Sequence, residues 1–423
     1  MSSLKKAVKG SIWLVFSTLI ARFSGFIVLP ILARLLGPTD LGTYNLLVNT
    51  VQTADNLSRL GVDAAIHRNG AQYEKNGVVA VGRLFGVGAC MTVMAGVVVA
   101  LCLFIWKEPI ATKWLGEESV KPWFPLAAVA VVFYVVSNPP WYYLLALQEF
   151  RLSSLRSSVV AVVGAIITLS LTWQFELKGA FGGLAIAALV QAVWGWWLTL
   201  PILRKNKISL RLDRFASEAC SILSFGLPFY TSNFLSGFIS LPLFGYVSRT
   251  GGIEQLGYLR VAQSLSQLVA FLPTAIAPVI ISTLSASLSS DGVEYRQTKS
   301  LHLRSLWMLI LIISTLICFS LDYLVPSLFG ESYTQAIFLS RLTVWITAIV
   351  SLSGMLSQYV ISAGKTKVIA VIQTVALGVN LLLALWLIPE LSAAGLLAAQ
   401  GGAALFTTIA YIKPAISDLI REN

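Results

Sequence analysis

Twelve long, mostly apolar stretches constrain this chain more than any other feature of its sequence. A helix needs about 20 residues to cross the hydrocarbon core of a bilayer, and each stretch is long enough to do so. Only 12% of the residues are charged, against roughly 25% in an average soluble domain. We therefore predict an all-α integral membrane protein with twelve transmembrane helices, at approximately residues 10–34, 41–65, 78–106, 123–147, 155–175, 180–203, 219–248, 257–287, 302–328, 335–362, 367–388 and 392–414.

The distribution of Lys and Arg predicts how these spans are oriented. Positive residues are retained on the cytoplasmic side of a membrane. Roughly two-thirds of the 30 Lys and Arg residues fall in segments that are cytoplasmic if the N-terminus is inside, among them Arg156 and the basic stretch 204–218. We therefore expect a multi-pass protein of the cytoplasmic membrane with both termini in the cytoplasm. The net charge of +11 then reflects topology and attraction to anionic membrane lipid, with no nucleic-acid partner.

The sequence also repeats itself. SGFIVLPIL at 24–32 recurs as SGFISLPLF at 236–244, 212 residues later, and GGLAIAA at 182–188 resembles AGLLAAQ at 394–400. This repeat predicts an N-terminal six-helix lobe at 1–203, a cytoplasmic basic linker at 204–218 and a C-terminal six-helix lobe at 219–423. An even number of spans per lobe keeps the two lobes parallel. Transporters built this way bind cargo in a central cavity between their lobes, so the repeat favours transport over a duplication without a site.

Several classes of protein chemistry lack support in the sequence. His67 and His302 are the only histidines, and neither lies near a second plausible metal ligand. The longest extramembrane stretches, 107–122 and 204–218, have about 15 residues each and are too short for a catalytic domain. We therefore expect no catalytic residue, metal or cofactor, and no enzyme. A membrane polymerase or ligase would need a larger outer loop carrying its catalytic residues.

Charged residues inside the spans are the candidate functional residues. A charged side chain at mid-bilayer costs about 2.5–3.5 kcal/mol on insertion scales, so it persists where it faces protein or water. Arg22 lies near the middle of the first span, and Arg260 lies toward the outer end of the eighth. Asp55, Arg59 and Asp63 recur every four residues, which places them along one stripe of the second helix.

Two interpretations of this stripe remain open. In the first, Asp55, Arg59 and Asp63 neutralise one another as neighbouring pairs in a packed helix interface. In the second, Arg22, Arg59 and Arg260 contact an anionic cargo, and Asp55 and Asp63 couple its movement to H+ or Na+. Arginine suits phosphate because its fork donates two parallel hydrogen bonds. Snorkelling to the membrane surface accounts equally well for Arg260.

The two repeats differ at these positions. The residues of the second half that correspond to the charged ones of the first are Phe234, Ala270, Thr274 and Pro278. A scaffold with one charged lobe and one apolar lobe suits an amphipathic cargo whose anionic group is held by the N-terminal half.

The opening of the chain resembles a known family. Residues 11–68, and most specifically LARLLGPTDLGTYNL at 32–46, are similar to the first two spans of polysaccharide-biosynthesis flippases of the O-antigen type. Their superfamily also holds lipid II flippases and multidrug and toxin exporters. Arg22, in ARFSGF, matches an arginine in the lipid II flippase pattern SRxxGF. Spans 13 and 14 of lipid II flippases are missing here, which argues against that subgroup.

The resemblance implies a function. A flippase of this type moves an undecaprenyl-diphosphate-linked oligosaccharide from the cytoplasmic to the outer leaflet, through a cation-lined cavity and driven by an ion gradient. The product serves O-antigen, capsule or exopolysaccharide synthesis, so a polysaccharide polymerase and a chain-length regulator are candidate partners. The alternative is a multidrug and toxin exporter, for which we would expect acidic residues to dominate the cavity.

Overall fold

The computed structural model describes residues 2–70, 73–287, 292–362 and 366–420, and no strand is present within them. Short 3-10 or π turns lie at Ile110–Trp114, Glu118–Trp123 and Glu331–Tyr333. The α-helices of the described residues are α1 Ser2–Arg59, α2 Val62–Gly70, α3 Tyr73–Ile105, α4 Lys107–Pro109, α5 Phe124–Ala146, α6 Phe150–Lys205, α7 Phe215–Gly251, α8 Glu254–Ser287, α9 Gly292–Phe329, α10 Ala336–Ser362 and α11 Thr366–Ile420. The predicted all-α class is confirmed.

Four of the described helices contain a kink, and the kink at Gly77 lies in the first turn or so of α3. The other three kinks divide long helices, where the backbone takes a positive φ at Gly37 in α1, at Glu176 in α6 and at Ser392 in α11. Seven helical stretches of the described residues are long and apolar enough to cross a membrane, and three of them contain one of these kinks. Each of the three kinked stretches counts as two spans, so the seven stretches correspond to ten of the predicted spans. Helices α7 and α8, with 37 and 34 residues, coincide with the two remaining predicted spans.

Backbone geometry shows the same internal repeat as the sequence. Left-handed positions of the first half recur in the second half at offsets of 215, 214 and 216 residues. These pairs are Gly37 with Gly252, Gly116 with Gly330, and Glu176 with Ser392. The first two pairs are glycines, which adopt a positive φ without steric cost. The repeat therefore extends to the conformation of the connections between spans.

Two glycines of the repeat have the same packing role. A Cβ atom added at Gly179 would overlap the Leu171 carbonyl oxygen, and one added at Gly395 would overlap the Leu387 carbonyl oxygen. In each case the glycine follows the kink by three residues, and the chain folds back closely on the preceding turn. Small residues permit such close backbone approach between membrane helices.

The chain forms two compact units. The first contains residues 1–36 and 43–245, and the second contains 37–42 and 246–423. In the second unit, residues 37–42 pack closely against residues 253–257. A Cβ at Gly42 would overlap the Ile253 carbonyl, and one at Gly257 would overlap the Pro38 carbonyl. These two units are defined by which residues pack together in the structure. The predicted boundaries at 203 and 218 were instead defined by the internal sequence repeat. Those boundaries stay a prediction.

We expect Gly179→Ala and Gly395→Ala each to lower the thermal unfolding midpoint in detergent, because the new methyl group meets backbone atoms that cannot yield without a shift of the helix. The controls are Gly182→Ala and Gly378→Ala, where an added Cβ meets nothing within 4 Å. These should leave stability unchanged or raise it by up to about 1 kcal/mol, the ordinary helix preference for alanine. Equal midpoints for all four variants would contradict the packing role of the repeated glycines.

Candidate functional site

Helix α7 packs closely beside the C-terminal part of α1 in the first compact unit. Glycines permit the approach, since a Cβ added at Gly226 would lie 2.5 Å from the Gly61 carbonyl oxygen and one at Gly237 would lie 3.7 Å from the Thr53 methyl group. Between these points the helices enclose a space of about 420 Å³, here called the polar cavity. Its lining residues are Asn49, Gln52, Thr53, Asn56, Arg59, Asp63, Tyr230, Ser236, Gly237 and Ser240.

A second space lies on the other side of the same stripe of α1. This amide cavity has a volume of about 350 Å³ and reaches helices α5 and α6. Gln52, Asn56 and Arg59 border both cavities. The amide cavity is lined by Val51, Gln52, Asp55, Asn56, Arg59, Tyr134, Asn138 and Gln191. Arg59 therefore lies in the wall that separates the two cavities and borders both of them.

An ion pair occupies the centre of this wall. Arg59 donates to the same Asp55 oxygen, Oδ2, from Nη2 at 2.6 Å and from Nε at 3.2 Å. The Asn138 amide donates to the other oxygen, Oδ1, at 2.7 Å. Asp55 is 7% exposed, whereas the side chain of Arg59 is 26% exposed. The carboxylate is thus compensated and hydrogen-bonded on both oxygens, as a buried charge requires.

Asp63 has a different role from Asp55. It lies in the first turn of α2, where its Oδ1 accepts a hydrogen bond of 2.9 Å from the Ala64 backbone N–H. A carboxylate is favourable there because the helix N-terminus carries partial positive charge. Among the described residues, Asp63 makes no ion pair with Arg59, although it borders the polar cavity. The predicted single stripe is wrong for Asp63, because α1 ends at Arg59 and the backbone takes a positive φ at Leu60 and Gly61. Of the expected neutralising pairs, the described residues contain Asp55 with Arg59 only.

The remaining predicted residues lie elsewhere. Arg22 is half-buried in the first part of α1, and its Nη1 is a buried atom without a hydrogen-bond partner. It lines neither the polar cavity nor the amide cavity. Arg260 is half-buried in α8 of the second compact unit. The structure thus brings Asp55, Arg59 and Asp63 together, and their roles toward cargo or ion stay predictions. The side chains of Phe234, Thr274, Pro278 and His302 lie outside the described residues.

Sequence reasoning missed Asn138, which fixes Asp55. It stands directly before Pro139 and Pro140 in α5, and an amide beside two prolines in an apolar span is a signal that could have identified it. Pro140 lacks the N–H that would bond the Val136 carbonyl one turn earlier. The Trp196 indole donates to that carbonyl instead, at 3.0 Å.

Arg156 has a role that the sequence did not indicate. The sequence counts it among the cations at the cytoplasmic ends of the spans, and the structure shows that it is 4% exposed near the start of α6. Its Nη2 donates to the Ser137 carbonyl at 2.8 Å. Gly195 makes room for it, since a Cβ there would lie 2.8 Å from the guanidinium Nε. Arg156 therefore supports the proline-interrupted segment of α5.

Tyr230 lines the polar cavity, and other aromatic rings lie near Asp63. The Tyr230 hydroxyl donates to the Asn56 carbonyl at 2.6 Å and ties α7 to α1. His67 of α2 contacts the Tyr142 ring edge-on, with ring centroids 5.8 Å apart. Burial lowers the pKa of His67, while the nearby Asp63 carboxylate acts in the opposite direction. The net lowering favours a neutral imidazole at pH 7, so His67 adds no full positive charge near Asp63.

The described residues contain no group of three or more His, Cys, Asp or Glu side chains placed to hold a metal ion. The site is an arginine, the carboxylate that it compensates, a second carboxylate at the α2 N-terminus, and a surrounding set of amides and hydroxyls. Such a set binds an anion or a sugar by hydrogen bonds.

Comparison with solved structures shows which class of fold this is. The lipid II flippase MurJ in an inward closed conformation matches with a TM-score of 0.74 and 13% identity, over 96% of this chain and 90% of that one. The eukaryotic MATE transporter AtDTX14 matches with a TM-score of 0.66 and 13% identity, over 99% of both chains. A MOP superfamily transporter from Pyrococcus furiosus, described as having a binding pocket of reversed polarity, matches with a TM-score of 0.64 and 15% identity, over 99% and 95%. The chain thus has the fold of multi-pass MATE and MurJ transporters.

The family is defined by sequence. No curated protein matches the chain. The family model described as polysaccharide biosynthesis protein matches residues 7–288, about two-thirds of the chain. The chain therefore belongs to the polysaccharide biosynthesis protein family.

The Asp55–Arg59 pair can be tested by a double-mutant cycle. We expect Asp55→Leu to lower stability strongly, because it leaves a largely buried guanidinium without its carboxylate; such losses reach about 3–5 kcal/mol for fully buried pairs. Asp55→Leu/Arg59→Leu should recover much of the loss, and Arg59→Leu alone completes the cycle from which the coupling energy is obtained. The measurement is thermal unfolding in detergent.

A control is the Glu108–Lys121 pair of the extramembrane stretch 107–122, which has a similar separation of 2.7 Å but side chains 68% and 39% exposed. Its coupling should be much weaker than that of the buried pair, because water screens it. A double variant no more stable than Asp55→Leu alone would show that the buried pair is not coupled as the geometry indicates.

Proposed function

We propose that this chain is a flippase that moves undecaprenyl-diphosphate-linked oligosaccharide from the inner to the outer leaflet of the cytoplasmic membrane. The product would supply O-antigen, capsule or exopolysaccharide synthesis. One observation carries the proposal: a member of the polysaccharide biosynthesis family has a polar cavity within its apolar helices, with a single arginine on its wall. The shared fold with MurJ and MATE transporters supports movement of a cargo rather than catalysis on it.

Arg59 is the proposed contact for the diphosphate. Its guanidinium is the positive group among the residues that line the polar cavity. A diphosphate presents adjacent oxygens that match the donor fork of arginine. Asn49, Gln52, Ser236 and Ser240 surround it with amides and hydroxyls, which suit the oxygens of phosphate and sugar alike.

Asp55 is the proposed site of coupling to H+ or Na+. In the structure its charge is compensated by Arg59 and Asn138. A diphosphate that draws Arg59 away leaves a buried carboxylate without its cation, which is costly. A proton or Na+ arriving at Asp55 removes that cost, so cargo and cation binding are linked. Asp63 borders the same cavity and is a second candidate for the cation.

Orientation and partners complete the proposal. The excess of Lys and Arg in alternate connections supports cytoplasmic termini and a multi-pass protein of the cytoplasmic membrane. A polysaccharide polymerase and a chain-length regulator would act on the cargo after it reaches the outer leaflet. Arg22 and Arg260 stay candidate cargo contacts in conformations other than the one described.

A second candidate function is multidrug export, because MATE transporters share the fold. Cationic drugs would call for an uncompensated carboxylate in the cavity. Asp55 is instead neutralised by Arg59, and Asp63, held at the α2 N-terminus, is the carboxylate of the cavity that has no ion pair among the described residues. The arginine of the cavity and the family together favour an anionic cargo.

The proposed role of Arg59 predicts the outcome of Arg59→Gln in cells. This variant should lose most surface polysaccharide export and accumulate lipid-linked oligosaccharide on the inner face of the cytoplasmic membrane, because the diphosphate loses its cation. Arg341→Gln, which removes an arginine of an exposed ion pair, should export normally at equal membrane abundance. Normal export by Arg59→Gln would contradict the role. A deletion strain that becomes sensitive to cationic drugs while its polysaccharide stays unchanged would favour the exporter.

Arg22 is tested separately. Arg22→Ala should reduce polysaccharide export while the protein still reaches the membrane, because a buried guanidinium nitrogen without a protein partner is available to an anion. Export and membrane abundance are measured in the same cells. Unchanged export at unchanged abundance would remove Arg22 from the cargo path.

A further inference from the structure

A third space adjoins the polar cavity. It has a volume of about 440 Å³, within the range of about 300–1,000 Å³ of small-molecule sites. The end of α3, the segment after it and one face of α7 form its walls with α1. This apolar groove is lined by Thr50, Thr53, Ala54, Leu57, Val99, Cys102, Leu103, Trp106, Pro109, Ile110, Trp114, Phe238 and Leu241. No charged side chain contributes to it, in contrast to the polar cavity.

Helices α1 and α7 lie between the apolar groove and the polar cavity, and different residues of each helix line the two spaces. On α1, Asn49, Gln52 and Asn56 line the polar cavity, while Thr50 and Leu57 line the apolar groove. Thr53 borders both, with a hydroxyl and a methyl group on one side chain. The two sets form adjacent stripes of the helix because residues three and four apart share a face.

Helix α7 repeats this division. Ser236 and Ser240 line the polar cavity, whereas Phe238 and Leu241 line the apolar groove. Gly237 lies between them opposite Thr53, where an added Cβ would be 3.7 Å from the threonine methyl. These residues belong to SGFISLPLF, the second copy of the repeated motif. Because residue 237 is a glycine, no side chain of α7 stands between the two spaces at this point.

The groove has a defined far wall. The rings of Trp114 and Phe238 meet edge to face with centroids 5.3 Å apart. A Cβ at Gly245 would overlap the Trp114 carbonyl oxygen, so α7 lies directly on this segment. Trp114 and Phe238 remain 42% and 44% exposed. Aromatic faces of this kind contact a branched hydrocarbon chain favourably.

We infer that the apolar groove holds the first isoprene units of a polyprenyl chain whose diphosphate lies in the polar cavity at Arg59. The inference rests on the proposed function and adds the place of the lipid. The two spaces meet at Thr53 and Gly237. One amphipathic molecule can therefore occupy both, with its charged head in the polar cavity and the hydrocarbon chain attached to that head in the apolar groove. A small polar or cationic cargo would have no use for the groove.

The test uses the purified full-length chain in nanodiscs and undecaprenyl diphosphate with a photoreactive diazirine on its first isoprene units. We expect crosslinks at residues 99–114, mapped by mass spectrometry. Val99→Trp fills the groove and should reduce the crosslink yield roughly tenfold or more. The control is Val98→Trp on the same helix, where the native residue is 58% exposed and outside the groove lining; it should crosslink like the unmodified chain.

The outcomes separate this inference from the proposed function. Binding with crosslinks outside the groove, or equal yields in Val99→Trp and the unmodified chain, overturns the position of the lipid and leaves the flippase proposal standing. Crosslinks displaced by excess phosphatidylglycerol show an ordinary lipid-facing surface and also overturn it. Failure of the unmodified chain to bind the probe in any mode contradicts the proposed function itself.

Discussion

A hydrocarbon core offers no hydrogen-bond partner, and this constraint governs the structure around the candidate site. The two prolines of α5 remove backbone donors in the middle of a span. The Val136 carbonyl, which Pro140 cannot bond, accepts from the Trp196 indole, and the Ser137 carbonyl accepts from Arg156. These bonds hold the segment in which Asn138 reaches Asp55. Polar side chains of α6 thus bond the carbonyls beside the prolines of α5, and α5 in turn holds Asn138 against Asp55.

The same constraint explains how a charge can lie on a transport path. Asp55 is stable because Arg59 and Asn138 bond both of its oxygens, and Arg59 is stable because Asp55 compensates it. Neither charge is free, yet Arg59 borders two cavities and keeps a quarter of its side chain exposed. An anionic cargo competes for an arginine that already has a partner. Cargo binding therefore disturbs the carboxylate as well, which joins binding to the ionic state of the site.

Much of the architecture follows from the sequence. Span length and apolar composition depend on local residues, so the twelve spans were predictable, and helical periodicity placed Asp55 and Arg59 on one stripe. The same prediction was wrong for Asp63, because Leu60 and Gly61 take a positive φ and end α1 before it. The kinks at Glu176 and Ser392 were not foreseen as left-handed residues, although the repeat at 182 and 394 lies beside them. Their conformation depends on close packing at Gly179 and Gly395, which no local pattern encodes.

The partners of the site residues were beyond local reasoning. Asn138 contacts Asp55 across 83 positions, and Tyr230 contacts Asn56 across 174. Such contacts arise from helix packing, and periodicity gives the face of a helix but not the residue that meets it. Arg22 shows the opposite case, because its motif is recognisable while the structure places it outside both cavities at Arg59. The burial of Arg156 was likewise beyond local reasoning, because a position near a span end does not reveal burial.

The most direct measurement is transport by the purified full-length chain in proteoliposomes that contain a fluorescent polyprenyl-diphosphate-linked sugar, with a sugar-cleaving enzyme added outside. The account predicts that all of the labelled lipid becomes cleavable over time with the protein, and only the outer-leaflet half without it. The rate should fall when Arg59 is replaced by glutamine. Cleavage that stops at the outer-leaflet half in preparations whose protein is correctly folded and inserted would contradict the central claim.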